Sequence, residues 1–435
     1  MPAPTPPNSS TVLPVKTSPS HRRTILAAIL AAAALLPGCR CGDAEPRADL
    51  VVAAFAEHEG LARTVVGRWQ NAHPGKTVEL VSLASGDFYS AMLPRIYSGS
   101  GVPDLLVVDA AFLARTGTAA FEDLSRPPYG GASLVTGLLP QAVAAGKGDA
   151  GAQVGLPVAA SPALLFYRQD LLERAGVDER ELSASWEGFV AAGVKVKAAT
   201  GAYLAPQVLG VAYASLASQV EPGSSVFFGA DGALRLHGPA FERAFALARS
   251  ARAAELGAGM NPGTSEWRKA VQAGLLLTHL GGPEALRQLA YTAPETAGAW
   301  RAVAPPSPLP ADGVYLALPA RGHRHALAWE LVEAALTPEG QHAAFADATA
   351  YPAVTAALED PMLDEPVKFL GDKRLGALWR EALARAPAFV PNRKDPLAAG
   401  TMQVALDQVL ERNQDIRAAL AGAEADARKR LEHKR

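Results

Sequence analysis

Between Leu50 and Asp109, three apolar runs alternate with two amphipathic stretches, and this alternation limits the fold more than any other feature of the sequence. Leu50-Val51-Val52-Ala53-Ala54-Phe55 is apolar without interruption, as a strand buried on both faces of a sheet must be. Leu61, Val65, Val66 and Trp69 then recur at helical spacing until His73-Pro74-Gly75 stops them. A second strand is predicted from Thr77 to Leu83, a helix containing Pro94 from Asp87 to Tyr97, and a third strand from Pro103 to Asp109. Strand, helix and strand at this spacing require right-handed crossovers and parallel pairing. In such sheets ligands bind beyond the carboxyl ends of the strands, which points to the loops Glu57 to Gly60, Ser85 to Asp87 and Asp109 to Phe112.

The 435 residues are 49% apolar and 19% charged, enough for two or three domains and a sizeable core. Formal charge is −2, and beyond residue 38 it becomes about −5, with 38 basic against 43 acidic side chains. That balance argues against a nucleic-acid groove. Both cysteines, Cys39 and Cys41, close the one long apolar run, so everything after them lacks disulfides, cysteine-ligated zinc and a cysteine nucleophile. The run itself, Ile25 to Leu36, covers 12 residues behind Arg22-Arg23, against the about 20 that cross a bilayer. Residues 1–38 therefore read as a signal peptide. Its ending, Leu35-Leu36-Pro37-Gly38-Cys39, resembles the bacterial lipobox, which implies a lipid on Cys39, and Arg22-Arg23 faintly resembles a twin-arginine export signal. Residues 39–48 read as a polar tether that joins a membrane anchor to a body starting near Asp49.

Further motifs carry a family resemblance. Asp87-Phe88-Tyr89 opens a helix that closes at Ser98-Gly99-Ser100-Gly101, before Val102-Pro103-Asp104-Leu105-Leu106-Val107-Val108-Asp109. Gly155-Leu156-Pro157-Val158, then Leu164-Leu165-Phe166-Tyr167-Arg168, then Ser185-Trp186-Glu187-Gly188-Phe189, and finally Leu336-Thr337-Pro338-Glu339-Gly340-Gln341 follow in order. Together these resemble the family 1 extracellular solute-binding proteins of ABC importers. The resemblance implies an α/β fold of two lobes, each a mainly parallel sheet flanked by helices, with several hinge crossings. On that pattern the first lobe takes 49–157 and 321–350, the second 158–311 and 352–435, with a crossing at 312–320. Simpler structural roles are expected for Trp186 as a core ring behind the N-cap Ser185, for Thr337-Pro338 as a helix start, and for Asp104 as a turn holder.

The resemblance implies binding rather than catalysis: a lipid-anchored, extracytoplasmic, monomeric receptor that takes a small solute, a sugar by preference, and gives it to ABC permease subunits. A ligand-sensing or scaffold lipoprotein without a transport role is the alternative. Candidate ligand contacts are Glu57, Glu59, Ser85, Asp87, Asp109, Tyr213, Gly282, Glu284 and Tyr351. The acids and the Ser85 hydroxyl supply acceptors for sugar hydroxyls or for a cation; many such loop acids only cap helices or face water. Leu280-Gly281-Gly282-Pro283-Glu284 is similar to the segment where family members bring backbone amides to the solute. Maltodextrin-binding members carry tryptophan where this chain has Glu284, and aromatics where it has Val108 and Asp109, so long maltodextrins are disfavoured. Tyr213, Trp267, Tyr351 and Trp379 are the rings available, each first expected in the core, and His58 is expected at the surface.

No catalytic constellation emerges. His58-Glu59-Gly60-Leu61-Ala62 begins like a zincin helix but has alanine where the second histidine belongs, and His323 with His325 has no acid cluster beside it. There is no Gly-x-Ser-x-Gly elbow and no phosphate-cradling Walker loop, so no cofactor or metal is expected.

Overall fold

The computed structural model describes residues 48–432. The signal peptide, Cys39 and most of the tether lie outside the described residues. Three strands follow the predicted alternation: β1 (Leu50–Phe55), β2 (Val78–Leu83) and β3 (Leu105–Asp109). β1 sits between the other two and pairs in parallel with both, Leu50 opposite Val78 and Val52 opposite Leu105. Helix Glu59–Ala72 buries Leu61, Ala62, Val65, Val66 and Trp69. They pack against one face of β1, with Leu331 and Val332 beside them. Helix Ser85–Ser98 lies across the opposite face, where Phe55, Phe88 and Phe112 cluster with Phe55 and Phe88 centroids 4.5 Å apart. Each such ring, taken fully out of water, contributes about 1.5–3 kcal/mol. Gly99 stops that helix in the left-handed region at φ 81°, where a side chain would be strained.

The remaining strands depart from the expected parallel order. The sheet runs β2-β1-β3-β8-β4-β9, where β4 is Leu156–Ser161, β8 is Asp312–Ala317 and β9 is Tyr351–Pro352. β8 is antiparallel to both β3 and β4, and β9 is antiparallel to β4. β4 follows β3 through helices Ala110–Thr116 and Pro140–Ala145 and runs in its direction, and β9 follows β8 through helices His325–Ala335 and Pro338–Ala348 and runs in that of β8, so β8 is the strand that reverses the sheet. β4 leads through Pro162-Ala163 straight into β5 (Leu164–Arg168) of the second sheet, and β8 arrives from the proline-rich stretch 305–310. A strand that enters from the other sheet need not obey the crossover rule, which applies within one sheet.

The second sheet is small and antiparallel throughout, β6 (Thr278–Gly281), β5, β7 (Trp300–Val303). One core on it gathers Phe166, Trp267, Trp300 and Trp379, and another gathers Leu165, Tyr167, Trp186 and Phe189. Trp267 and Trp379 are thus core rings as expected. Helices Pro239–Ala253, Asp395–Arg412 and Ile416–Glu432 close the far end around Phe241, Phe245, Met402 and Leu420.

Sheet membership moves the expected lobe boundaries. Val158 to Ser161 stay in the six-stranded sheet, so the passage to the second sheet falls at Pro162-Ala163. The expected crossing at 312–320 begins with a full central strand, β8. Ser185 and Thr337 do cap their helices, accepting from Gly188 N at 2.9 Å and Gly340 N at 3.0 Å. Asp104, buried, accepts from Val51 N at 2.9 Å and faces Arg324 at 3.7 Å, fastening a strand start to another segment instead of holding a turn.

Candidate functional site

Strand direction decides which residues meet. β1, β3 and β4 end at the same edge of the large sheet, and β8 and β9 begin there, with Asp109 opposite Val314, Ser161 opposite Asp312, and Ala160 opposite Tyr351. Facing this edge is the start of helix Pro283–Thr292 beyond the second sheet. Glu57, His58, Asp109, Ser161 and Asp312 from the edge, and Glu284 and Arg287 from the helix, line a cavity of about 260 Å3.

Like charge dominates it. Asp109 caps helix Ala110–Thr116, its Oδ1 accepting from Phe112 N at 2.6 Å. Burial pushes its carboxyl above the ordinary range, the Phe112 bond opposes that, and the Glu57 charge adds to it. Asp312 is pushed up to about 6, first by burial and then by the charges of Asp109 and Glu284, against the Gly313 N–H that donates to it at 2.7 Å. By surface area Asp312 is exposed, opening on the cleft, and the protein packed around that opening is what raises it. His58, half-buried, is lowered to about 4 by burial, so its imidazole is neutral at pH 7. It lines the cavity, contrary to the expected surface position.

Glu284 accepts from Ser161 Oγ at 2.8 Å and from Gly282 N at 3.1 Å, joining β4 to the helix start. A Cβ on Gly282 would lie 2.0 Å from Ser161 Oγ. Any side chain here would turn the Ser161 hydroxyl and the Glu284 carboxylate away, so the glycine keeps their hydrogen bond in place, whereas the sequence suggested room for a solute.

Other expected contacts lie elsewhere. Glu59 pairs with Arg63 one helical turn on, at 2.5 Å, and this guanidinium holds its carboxyl below the usual range; it is not in the cavity wall. Ser85 and Asp87 are exposed at the end of β2, the outermost strand, and also stand outside the wall. Tyr351, by contrast, is in the wall of this cavity, a buried ring between Phe345 and Trp379 whose hydroxyl has no partner among the described residues.

Tyr213, 42% exposed, belongs to a second and larger cavity of about 640 Å3, walled by Trp186, Phe189, Leu209, Leu309 and Phe389. Asp312 lines both cavities. Sequence reasoning passed over Asp312, Ser161 and Arg287. Asp312-Gly313 after a proline-rich stretch does mark a strand start, but nothing local tells which edge that strand joins. Among the described residues no group of three or more His, Cys, Asp or Glu has a metal-holding arrangement.

A family model described as bacterial extracellular solute-binding protein matches residues 54–342. Solved structures share the fold. A binding protein associated with an ABC transporter of B. animalis subsp. lactis, in complex with β-1,6-galactobiose, is 18% identical, with a TM-score of 0.72 over 88% of this chain and 98% of its own. The sugar-binding protein MalE of Xanthomonas citri is 18% identical with a TM-score of 0.71, covering 88% and 98%. An ABC transporter solute-binding protein of Thermotoga lettingae with α-D-tagatose is 16% identical with a TM-score of 0.71, covering 87% and 98%. No curated protein matches by sequence.

Proposed function

The chain belongs to the bacterial extracellular solute-binding proteins, and on that premise we propose that it captures a small solute, a sugar by preference, between its two sheets and hands it to the permease of an ABC importer. The observation that carries this reading is the convergence of Glu57, Asp109, Ser161 and Asp312 on one sheet edge opposite Glu284 and Arg287, around one cavity. Oxygen acceptors with a single guanidinium suit a solute rich in hydroxyl donors. The galactobiose and tagatose bound by proteins of similar fold support that class. Glu57, Asp109 and Glu284 are the contacts proposed from the original set. Tyr213 serves from the second cavity, and Gly282 acts by letting Glu284 reach Ser161. A lipid on Cys39 would hold this monomeric receptor at the membrane; a Cys39→Ser protein should then leave the detergent phase in which the parent partitions.

A ligand held at a hundred times its Kd adds about 2.7 kcal/mol to stability, a rise of several degrees in Tm. Thermal melts of a protein beginning at Asp49, with a panel of mono- and disaccharides, should yield at least one such rise. Asp109→Asn should weaken that sugar about tenfold, since an orphaned donor in a closed cleft costs roughly 1–3 kcal/mol. An Asp109→Asn protein that binds the same sugar with unchanged Kd would remove this cavity as the site.

A further inference from the structure

The larger cavity is mostly apolar, with aromatic and aliphatic walls. Trp186, Phe189, Leu209, Leu309 and Phe389 wall most of its about 640 Å3, with Gln207, Tyr213, Thr278 and His279 as the neutral polar residues and Asp312 as the acid on its rim. The neighbouring cavity, which shares Asp312, collects Glu57, Asp109 and Glu284, and Arg287 is the only Lys or Arg in its wall among the described residues. Glu284 takes the Ser161 hydroxyl and Gly282 N, and Asp109 takes Phe112 N; these donors are neutral, so Arg287 is the positive charge facing the acids in this wall. An apolar chamber joined at a carboxylate to an acid-rich one is complementary to a molecule with both characters.

We propose that the solute is an amphipathic cation of sugar-like size: a protonated amine set against Asp312 and Asp109, and an apolar substituent seated in the chamber beside Tyr213. The inference rests on the reading that the cleft between the sheets is the solute site, and it narrows the class from sugars to amine-bearing glycosides with an apolar aglycone. Each half has its own contact. The ammonium meets carboxylates whose mutual repulsion it relieves, forming charge-assisted hydrogen bonds. The aglycone displaces water from surface that offers it few hydrogen-bond partners.

Four probes separate the two halves: glucose, glucosamine, phenyl β-D-glucoside and phenyl 2-amino-2-deoxy-β-D-glucoside, titrated calorimetrically at neutral pH into the protein beginning at Asp49. The probe with both groups is expected to bind at least tenfold tighter than glucosamine and at least tenfold tighter than phenyl glucoside. Asp312→Asn should abolish the advantage of the amine and keep that of the phenyl group. Gly210→Leu should do the reverse, because Gly210 lines the chamber and a Cβ there meets nothing within 4 Å, so the longer side chain folds into open space. Equal affinity for the amine and the neutral phenyl glycoside, or variants that change neither difference, would overturn the inference. If none of the four binds while a neutral disaccharide raises Tm, the inference falls and the receptor reading stands. If no sugar of any kind binds, both fall.

Discussion

Gln341 should be among the costliest residues to replace, because its one side chain bonds four backbone groups at once. It is fully buried on helix Pro338–Ala348. Its Nε2 donates to Val158 O at 2.9 Å and to Ala335 O at 3.0 Å, and its Oε1 accepts from Ala353 N at 2.8 Å and Val354 N at 3.3 Å. The pairing of β4 with β8 slips between Pro157 and Ala159, which leaves the Val158 carbonyl out of register, and Ala335 is the last residue of its own helix. The two amides follow directly on β9. Replacement by leucine keeps most of the volume but orphans two donors and two acceptors, at roughly 1–3 kcal/mol each if nothing relaxes. Partial relaxation brings the expected loss to about 4 kcal/mol, which for a body of this size lowers Tm by about 5 °C. Scanning calorimetry of Gln341→Leu beside the parent measures it. Gln341→Glu, which keeps the Oε1 acceptor but puts a second carboxyl oxygen where Nε2 donated to two carbonyls, should lose at least as much. A Tm within one degree of the parent for Gln341→Leu would refute the claim that these four groups depend on this amide.

Asp312 gives a pH signature. Its folded-state pKa of about 6 exceeds the ordinary aspartate value, so the folded protein holds a proton that the unfolded chain releases; this group therefore adds stability as pH falls from 7 towards 4 and subtracts it as pH rises. Asp312→Asn should melt higher than the parent at pH 7.5 and show a smaller gap at pH 5, and a gap that widens on acidification would contradict the sign. Gly282→Ala should fail to keep the Ser161 to Glu284 hydrogen bond, because its Cβ would sit 2.0 Å from Ser161 Oγ; a drop of at least 1–2 °C in Tm is expected, restored in part by the second change Ser161→Ala. An alanine that leaves Tm unchanged would mean that the contact is not required.

What the sequence made legible is what neighbouring residues determine. β1, β2, β3 and their helices follow from periodicity, and the capping roles of Ser185 and Thr337 from side chains three residues before the amides they serve. Glu59 was expected as a ligand contact although the contrary signal was local: Arg63 stands four residues on, and such a pair on one helix face meets before either side chain reaches a cleft. The order of strands beyond β3 was not legible, because β8 finds β3 and β4 across some 150–200 residues and no local pattern encodes that choice. Asp312 shows the consequence for the site. Read along the chain it is one acid at a crossing; placed between β3 and β4 it becomes the residue shared by both cavities. Its position also runs against stability, since burial and two neighbouring acids disfavour its charge. Asparagine could keep the Gly313 N–H bond without that penalty. A carboxylate that opposes folding where a neutral isostere would serve has its physical justification in what it binds, which is the reason to place the cationic end of the solute there.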